Sequence, residues 1–299
     1  MITTVINFCT FDWRCIGKCI EEAKKFSSQI IVPVCDHFFN GQKDDRFLLD
    51  AVYRKHKDVA FIEYPYLNDR LYDKYTTCSP EHHDWIAYWC STSRYISFFY
   101  VNPETEYLLF IDGDEIYNGD EMRKWMQTPE FASHDRFRFE THYYFRQARY
   151  QATTTYKGGL MAKKELITPG MLLNPWERFG TFSEVKGNAL ENVRGIDQEA
   201  IVHHYSWVRT EDECLRKANS WSHHWEKNWT ELIKEEFSRE FNGTDFVLGF
   251  NYREVEPYFD PFSVTEKDYP RLKEKEKFDH VRIVDEEEIF AKQLEYEFL

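Results

Sequence analysis

Four short apolar runs precede Asp112, separated by stretches long enough for helices, and this alternation limits the fold more than any other feature. Residues 4–8, 29–34, 59–64 and 107–111 read as strands, and the second, Ile30-Ile31-Val32-Pro33-Val34, is as continuously apolar as strands covered on both faces tend to be. The first intervening helix is expected to start at Asp12, a suitable cap, and to run to Lys25 with Ile16, Cys19, Ile20 and Ala23 on one face. Residues 47–56 and the aromatic-rich 81–101 supply two more helices. Such a β-α-β-α-β-α-β series predicts an α/β fold, a mostly parallel sheet flanked by helices. Ligands of such sheets collect beyond the carboxyl ends of the strands. Three polar clusters fall there, at 10–12, 35–37 and 112–114, and are expected to meet in one crevice.

Beyond Asn118 the pattern changes. Residues 120–126 read as a helix, 136–145 as a strand that 152–161 can pair with, and 199–207 as a short strand. Pro169, Gly170, Pro175, Gly180, Gly187 and Gly195 make 168–196 loop-like. Residues 211–241 read as one or two helices with Trp221, Trp225 and Trp229 near one face, since they recur every four residues. The charged last forty residues are expected to be peripheral.

A net charge of −14 argues against a nucleic-acid partner, because grip on a phosphate backbone needs a basic face. The first residues lack the basic and apolar regions of a signal peptide, and no run approaches the roughly 18–20 apolar residues of a transmembrane segment. Seven cysteines without a CxxC pair read as free thiols in a reducing cytoplasm, so a cytoplasmic location is expected and the sequons at Asn228 and Asn242 carry little weight. The aromatic share of 18% suits core packing and also a cleft that stacks sugar rings.

The most informative segment is Leu108-Leu109-Phe110-Ile111-Asp112-Gly113-Asp114. An apolar strand delivers two carboxylates, and Gly113 is expected to leave room for a ligand. Isolated DxD triplets are mostly turns or helix caps; the strand in front is what points to a metal. Two ionised carboxylates about 4 Å apart repel by roughly 4 kcal/mol at an effective dielectric of 20, and Mg²⁺ or Mn²⁺ reverses that sign while neutralising a departing diphosphate.

With those residues in place, the N-terminal half resembles the nucleotide-binding half of GT-A fold glycosyltransferases, above all the GT2-like group with its DxD motif. The resemblance implies that Asp36 contacts the base or ribose, that Arg94 positions the nucleotide, that Asp114 is the principal metal ligand and that Asp112 faces ribose or metal. Thr10 and Asp12 join them at the donor, or else only cap a helix. An inverting transferase also needs a general base from the chain after the DxD. Glu184 is preferred to Glu177, both in a loop-rich, aromatic region. One of His203 and His204 would add a metal ligand, since alternation along a strand turns only one inward. His82-His83 and His223-His224 are further doublets, and the second reads more simply as helix packing beside tryptophan. Asp36-His37-Phe38-Phe39-Asn40-Gly41 departs from the family's Asp-Gly-Ser run, and Cys9-Thr10-Phe11-Asp12 from its proline-bearing loop.

The implied organisation is a nucleotide-sugar half at 1–118, an acceptor half of the same domain at 119–210, and a helical C-terminal region at 211–299. The implied activity is Mn²⁺- or Mg²⁺-dependent, inverting transfer from a UDP- or GDP-sugar to a hydroxyl of a glycan or glycoconjugate. The alternatives are a nucleotidyltransferase acting on sugar phosphates, disfavoured by the single glycine in 8–18, and a non-catalytic carbohydrate-binding protein of the same fold.

Overall fold

The computed structural model describes residues 1–73, 76–82, 84–272, 274 and 276–297; His83 therefore lies outside the described residues. The first half alternates as the apolar runs dictate: β1 (Ile2–Asn7), α1 (Trp13–Ala23), β2 (Gln29–Cys35), α2 (Arg46–Lys55), β3 (Ala60–Tyr64), α3 (Asp84–Phe98) and β4 (Tyr107–Asp112). β5 (Glu115–Tyr117), α4 (Gly119–Trp125), α5 (Pro129–Ser133), β6 (Arg136–Phe145), β7 (Gln147–Ala152) and β8 (Tyr156–Lys163) follow. The remainder comprises α6 (Glu177–Glu184), β9 (Ala189–Val193), β10 (Val202–Trp207), α7 (Glu211–Ala218), α8 (Trp229–Phe237), β11 (Tyr252–Glu254), β12 (Val281–Ile283) and α9 (Glu286–Glu297).

The chain is an α/β protein built on one sheet of 12 strands among the described residues, with helices on both faces. β4, β1, β2, β3 and β12 run parallel in that spatial order, so their carboxyl ends open on one side. β8 joins β4 antiparallel and carries the sheet on through β6, β7 and β11.

Alternation along the buried strands sorts side chains between two cores. Ile2, Ile6, Val32, Val34, Leu109 and Ile111 meet α1, α2 and α4 on one face. Val5, Ile31, Leu108 and Phe110 meet α3, α6 and α9 on the other. Leu108, Leu109 and Phe110 are fully buried, and each such side chain contributes roughly 1.5–3 kcal/mol. That burial anchors β4 from both sides and fixes the acid pair at its end. A third core joins Tyr143, Phe145 and Trp207 to α7 and α8.

Several expectations need correction. Residues 168–196 are not a loop: a 3-10 turn (Pro169–Leu173), α6 and β9 lie within them. Pro169 opens its turn, where a missing N–H costs nothing, and Gly180 faces the Asn174 side chain at a place where a Cβ would collide. Trp221, Trp225 and Trp229 do not share a helical face, because residues 219–228 form turns between α7 and α8. Nor are the last forty residues wholly peripheral, since β12 extends the parallel sheet and Tyr269 is buried against α1. No helix among the described residues is long and apolar enough to cross a membrane.

Candidate active site

A cavity of about 390 Å³ opens at the carboxyl ends of the parallel strands. Asn7, Cys9, Phe11 and Asp12 line it after β1, Phe38 and Phe39 after β2, and Asp112 and Asp114 after β4. Glu177 and Arg178 of α6, His204 of β10, Lys217 of α7 and, after that helix, His223 and Glu226 add further titratable groups to its wall.

Asp112 and Asp114 have different environments although only Gly113 separates them. Arg178 reaches Asp112 Oδ2 at 2.9 Å and Glu115 Oε1 at 2.8 Å, tying the strand end to α6. Asp114, 2% exposed, is held at both oxygens. His204 Nε2 lies 3.2 Å from Oδ1, while Lys217 Nζ donates to Oδ2 at 2.8 Å and Arg209 Nη2 at 3.2 Å. Burial pushes the Asp114 carboxyl up, but Lys217, His204 and Arg209 together outweigh it and hold Asp114 well below the usual carboxylate range. Asp12 behaves oppositely: burial and the neighbouring Asp114 raise it to about 6 against the pull of Arg209.

Gly113 serves packing, not ligand access. Its N–H donates to the Asn7 carbonyl at 2.8 Å, and a Cβ would come within 3.0 Å of Asp12 Cβ. Asp12 makes no cap bond to α1 and pairs instead with Arg209.

Register settles the histidine doublet. On β10 His204 stands opposite Glu115 and faces the cavity, and Tyr156 Oη bonds its Nδ1. His203 points to the other face, stacked on Tyr258 at 4.2 Å with Nδ1 2.8 Å from Tyr144 Oη, and burial lowers it to about 3. It is packing, not a cavity group.

The two carboxylates considered as base also part company. Glu184 is exposed, bonded by Asn174, and outside the cavity lining. Glu177 faces inward from a left-handed backbone, φ 52°, a conformation that costs a non-glycine residue about 1–3 kcal/mol and recurs at functional sites. Its Oε1 accepts from Ser222 Oγ at 2.9 Å. Burial raises its carboxyl, but Arg94, the Ser222 bond, His223 and Arg178 bring it below the ordinary value.

The donor-side residues are less gathered than expected. Asp36 is not in the cavity lining: its Oδ1 accepts from Tyr66 N at 2.8 Å and faces His37 Nδ1 at 2.6 Å, fixing the turn after β3. Arg94 is 1% exposed beneath the floor, with Nη1 3.9 Å from Asp112 Oδ1. Thr10 donates from N to Asp44 Oδ2 at 3.0 Å and lines a neighbouring cavity.

Sequence reading missed Arg178, Arg209, Lys217 and Asp44. Lys217 and Arg209 lie 103 and 95 residues from Asp114, with no motif to announce them. Strand alternation could not find Arg178 either, because its helix was taken for a loop. His223, assigned to helix packing, lines the cavity from the turn after α7.

No family model matches the chain, and no curated protein matches it in sequence. Among solved structures it is similar to 4-diphosphocytidyl-2C-methyl-D-erythritol synthase from Anaerococcus prevotii, at 12% identity over 73% of this chain and 97% of that one, TM-score 0.40. It is also similar to S. aureus TarS 1-349 in complex with UDP, at 12% identity over 80% and 73%, TM-score 0.38. Of the longer TarS chain it spans 42%. The glycosyltransferase GlyE of Streptococcus pneumoniae is similar at 13% identity over 79% and 63%, TM-score 0.33. None of these reaches a TM-score of 0.5, so the cavity's own chemistry carries the functional reading.

Proposed function

We propose that the chain is a glycosyltransferase that uses a nucleotide-sugar donor, with a divalent cation held by Asp114 and His204. The observation that carries this reading is the 3.2 Å separation of Asp114 Oδ1 and His204 Nε2 in the strand-end cavity. Adjacent ligands of Mg²⁺, with bonds of about 2.0–2.1 Å at right angles, stand about 3 Å apart. With Nδ1 protonated toward Tyr156, Nε2 offers the lone pair. Among the described residues no cluster of three or more His, Cys, Asp and Glu is arranged to hold a metal unaided. Two protein ligands suit Mg²⁺ or Mn²⁺, which fills its other positions with water and substrate phosphate. Asp112, engaged by Arg178, is left out of this ligand set.

When bound, the cation would neutralise charge growing on the leaving diphosphate. Phe11, Phe38 and Phe39 offer the donor apolar surface, Phe11 and Phe38 being stacked at 4.1 Å. Glu177, kept ionised and without a hydrogen bond at Oε2 among the described residues, takes the proton from the attacking acceptor hydroxyl. The acceptor oxygen then bonds the anomeric carbon as its bond to the diphosphate breaks. Attack from the side opposite the diphosphate inverts that centre. Trp221, only partly buried, lines the cavity and offers a face on which an acceptor sugar ring can pack.

The test is release of nucleoside diphosphate from UDP-, GDP- and dTDP-sugars with Mn²⁺. Cation-dependent release that disappears in Asp114→Asn supports the reading. Pyrophosphate release from a nucleoside triphosphate and a sugar phosphate would replace it with nucleotidyl transfer. Sugar binding without turnover would make it a binding protein.

A further inference from the structure

Asp114 is neutralised from within the chain before any ligand is considered, and the two cations that do so are not alike. Arg209 is committed elsewhere: Nε donates to Ser206 O at 2.8 Å, Nη1 to Phe11 O, and Nη2 also to Asp12. It lies beneath the cavity and not in its wall. Lys217 lines the cavity, and among the described residues Asp114 Oδ2 is its one hydrogen-bond partner. An ammonium group has three hydrogens, so two remain to be directed at a ligand. Lys217 sits in the last turn of α7, a helix anchored at its start by a capping box between Thr210 and Glu213. Its four-carbon stem can swing without moving that helix.

Two positive groups cannot share Asp114 as comfortably as one. A divalent cation at Oδ1 must meet Lys217 at Oδ2, and it arrives beside Arg209 as well. A nucleoside diphosphate changes the balance, because its phosphate oxygens offer Lys217 new acceptors of the same kind. We infer that Lys217 is a resident counter-ion of Asp114 that transfers to the donor's diphosphate, so that cation and diphosphate bind together and neither binds well alone. This rests on the reading of the cavity as a nucleotide-sugar site. It adds a residue that contacts the diphosphate and makes binding of the metal depend on the donor.

The experiment uses the whole chain, with Mn²⁺ alone and then Mn²⁺ with UDP, GDP or dTDP. Bound Mn²⁺ is followed by the loss of its free-ion electron paramagnetic resonance signal, and nucleotide by calorimetry. Wild type should bind Mn²⁺ weakly alone and at least about tenfold more tightly with its preferred nucleoside diphosphate, the worth of one charge-assisted hydrogen bond. Lys217→Met should shift the two affinities in opposite directions. Mn²⁺ alone should bind more tightly, the nucleoside diphosphate about tenfold more weakly, and the parent nucleoside unchanged. Lys217→Arg, which keeps the charge, should stay near wild type.

Wild type that binds Mn²⁺ equally with and without nucleotide overturns the inference and needs no variant. So does a folded Lys217→Met whose two affinities are unchanged or move together. If wild type binds none of the three nucleoside diphosphates, the inference and the proposed function fall together. If it binds one and Lys217→Met is indifferent, only the role of Lys217 falls.

Discussion

His204 Nε2, within β10, and Asp114 Oδ1, just beyond the end of β4, lie 3.2 Å apart, and the register of β10 against β5 puts them there. Tyr156 Oη holds the far nitrogen of the ring. Partners of this kind orient a ligating histidine, and losing one typically weakens metal binding by about 10–100-fold. Tyr156→Phe should therefore raise the Mn²⁺ dissociation constant, measured with nucleoside diphosphate present, by about tenfold. The melting temperature should change little by comparison.

Glu177→Gln should lower the turnover of a cognate donor and acceptor by about 10²–10⁴-fold, the usual worth of a positioned general base. Calorimetric affinity for the nucleoside diphosphate should be unaffected. Glu184→Gln should leave turnover as it is, because that side chain is exposed outside the cavity. The pair separates a catalytic carboxylate from a merely nearby one.

Arg178 compensates Glu115, whose side chain is fully buried, and Asp112 beside it. Burial raises the Glu115 carboxyl, but Arg178 keeps it below its ordinary value. Arg178→Met strands that charge and should destabilise the fold by about 3–5 kcal/mol in urea unfolding. Removal of a buried partner, not loss of a surface ion pair, sets that magnitude.

Four of the five parallel strands, β1 to β4, were legible because they are largely apolar on both faces, a pattern visible over five or six residues; β12, three residues long and mostly exposed, carries no such pattern. The acid pair was legible for the same reason: the strand that carries it is continuous. What failed was local pattern overruled by side chains. Trp221, Trp225 and Trp229 have helical spacing, yet Asn228 accepts from Glu231 N and starts a new helix. Trp229 Nε1 donates to the His223 carbonyl at 2.8 Å, which fastens the turn in place. Asp36 follows a strand as a base-binding acid should, but the Tyr66 amide claims it. Lys217 and Arg209 were invisible because their meaning is tertiary: α7 is amphipathic with or without Lys217, and Arg209 lies in the short link between β10 and α7.

Burial raises Asp44 from its ordinary value to about 6, against the bonds from Thr10 that lower it. A carboxyl raised in the folded state binds its proton there more tightly than in the unfolded chain. Its contribution to stability is fully present below about pH 4 and is lost as pH rises through about 6. Asp44→Asn cannot titrate. Its stability deficit relative to wild type should therefore be larger at pH 4 than at pH 7, by roughly 2–3 kcal/mol in chemical unfolding. A deficit that grows toward pH 7 would mean the carboxylate is stabilised in the fold.

A cation seated between Asp114 and His204 is the centre of the proposed site, and pulsed electron paramagnetic resonance of Mn²⁺ in the presence of nucleoside diphosphate tests it most directly. The expected spectrum carries nitrogen modulation from a directly bound imidazole, present in wild type and absent in His204→Ala. Mn²⁺ bound together with the nucleotide but without that nitrogen coupling would contradict the proposed metal site.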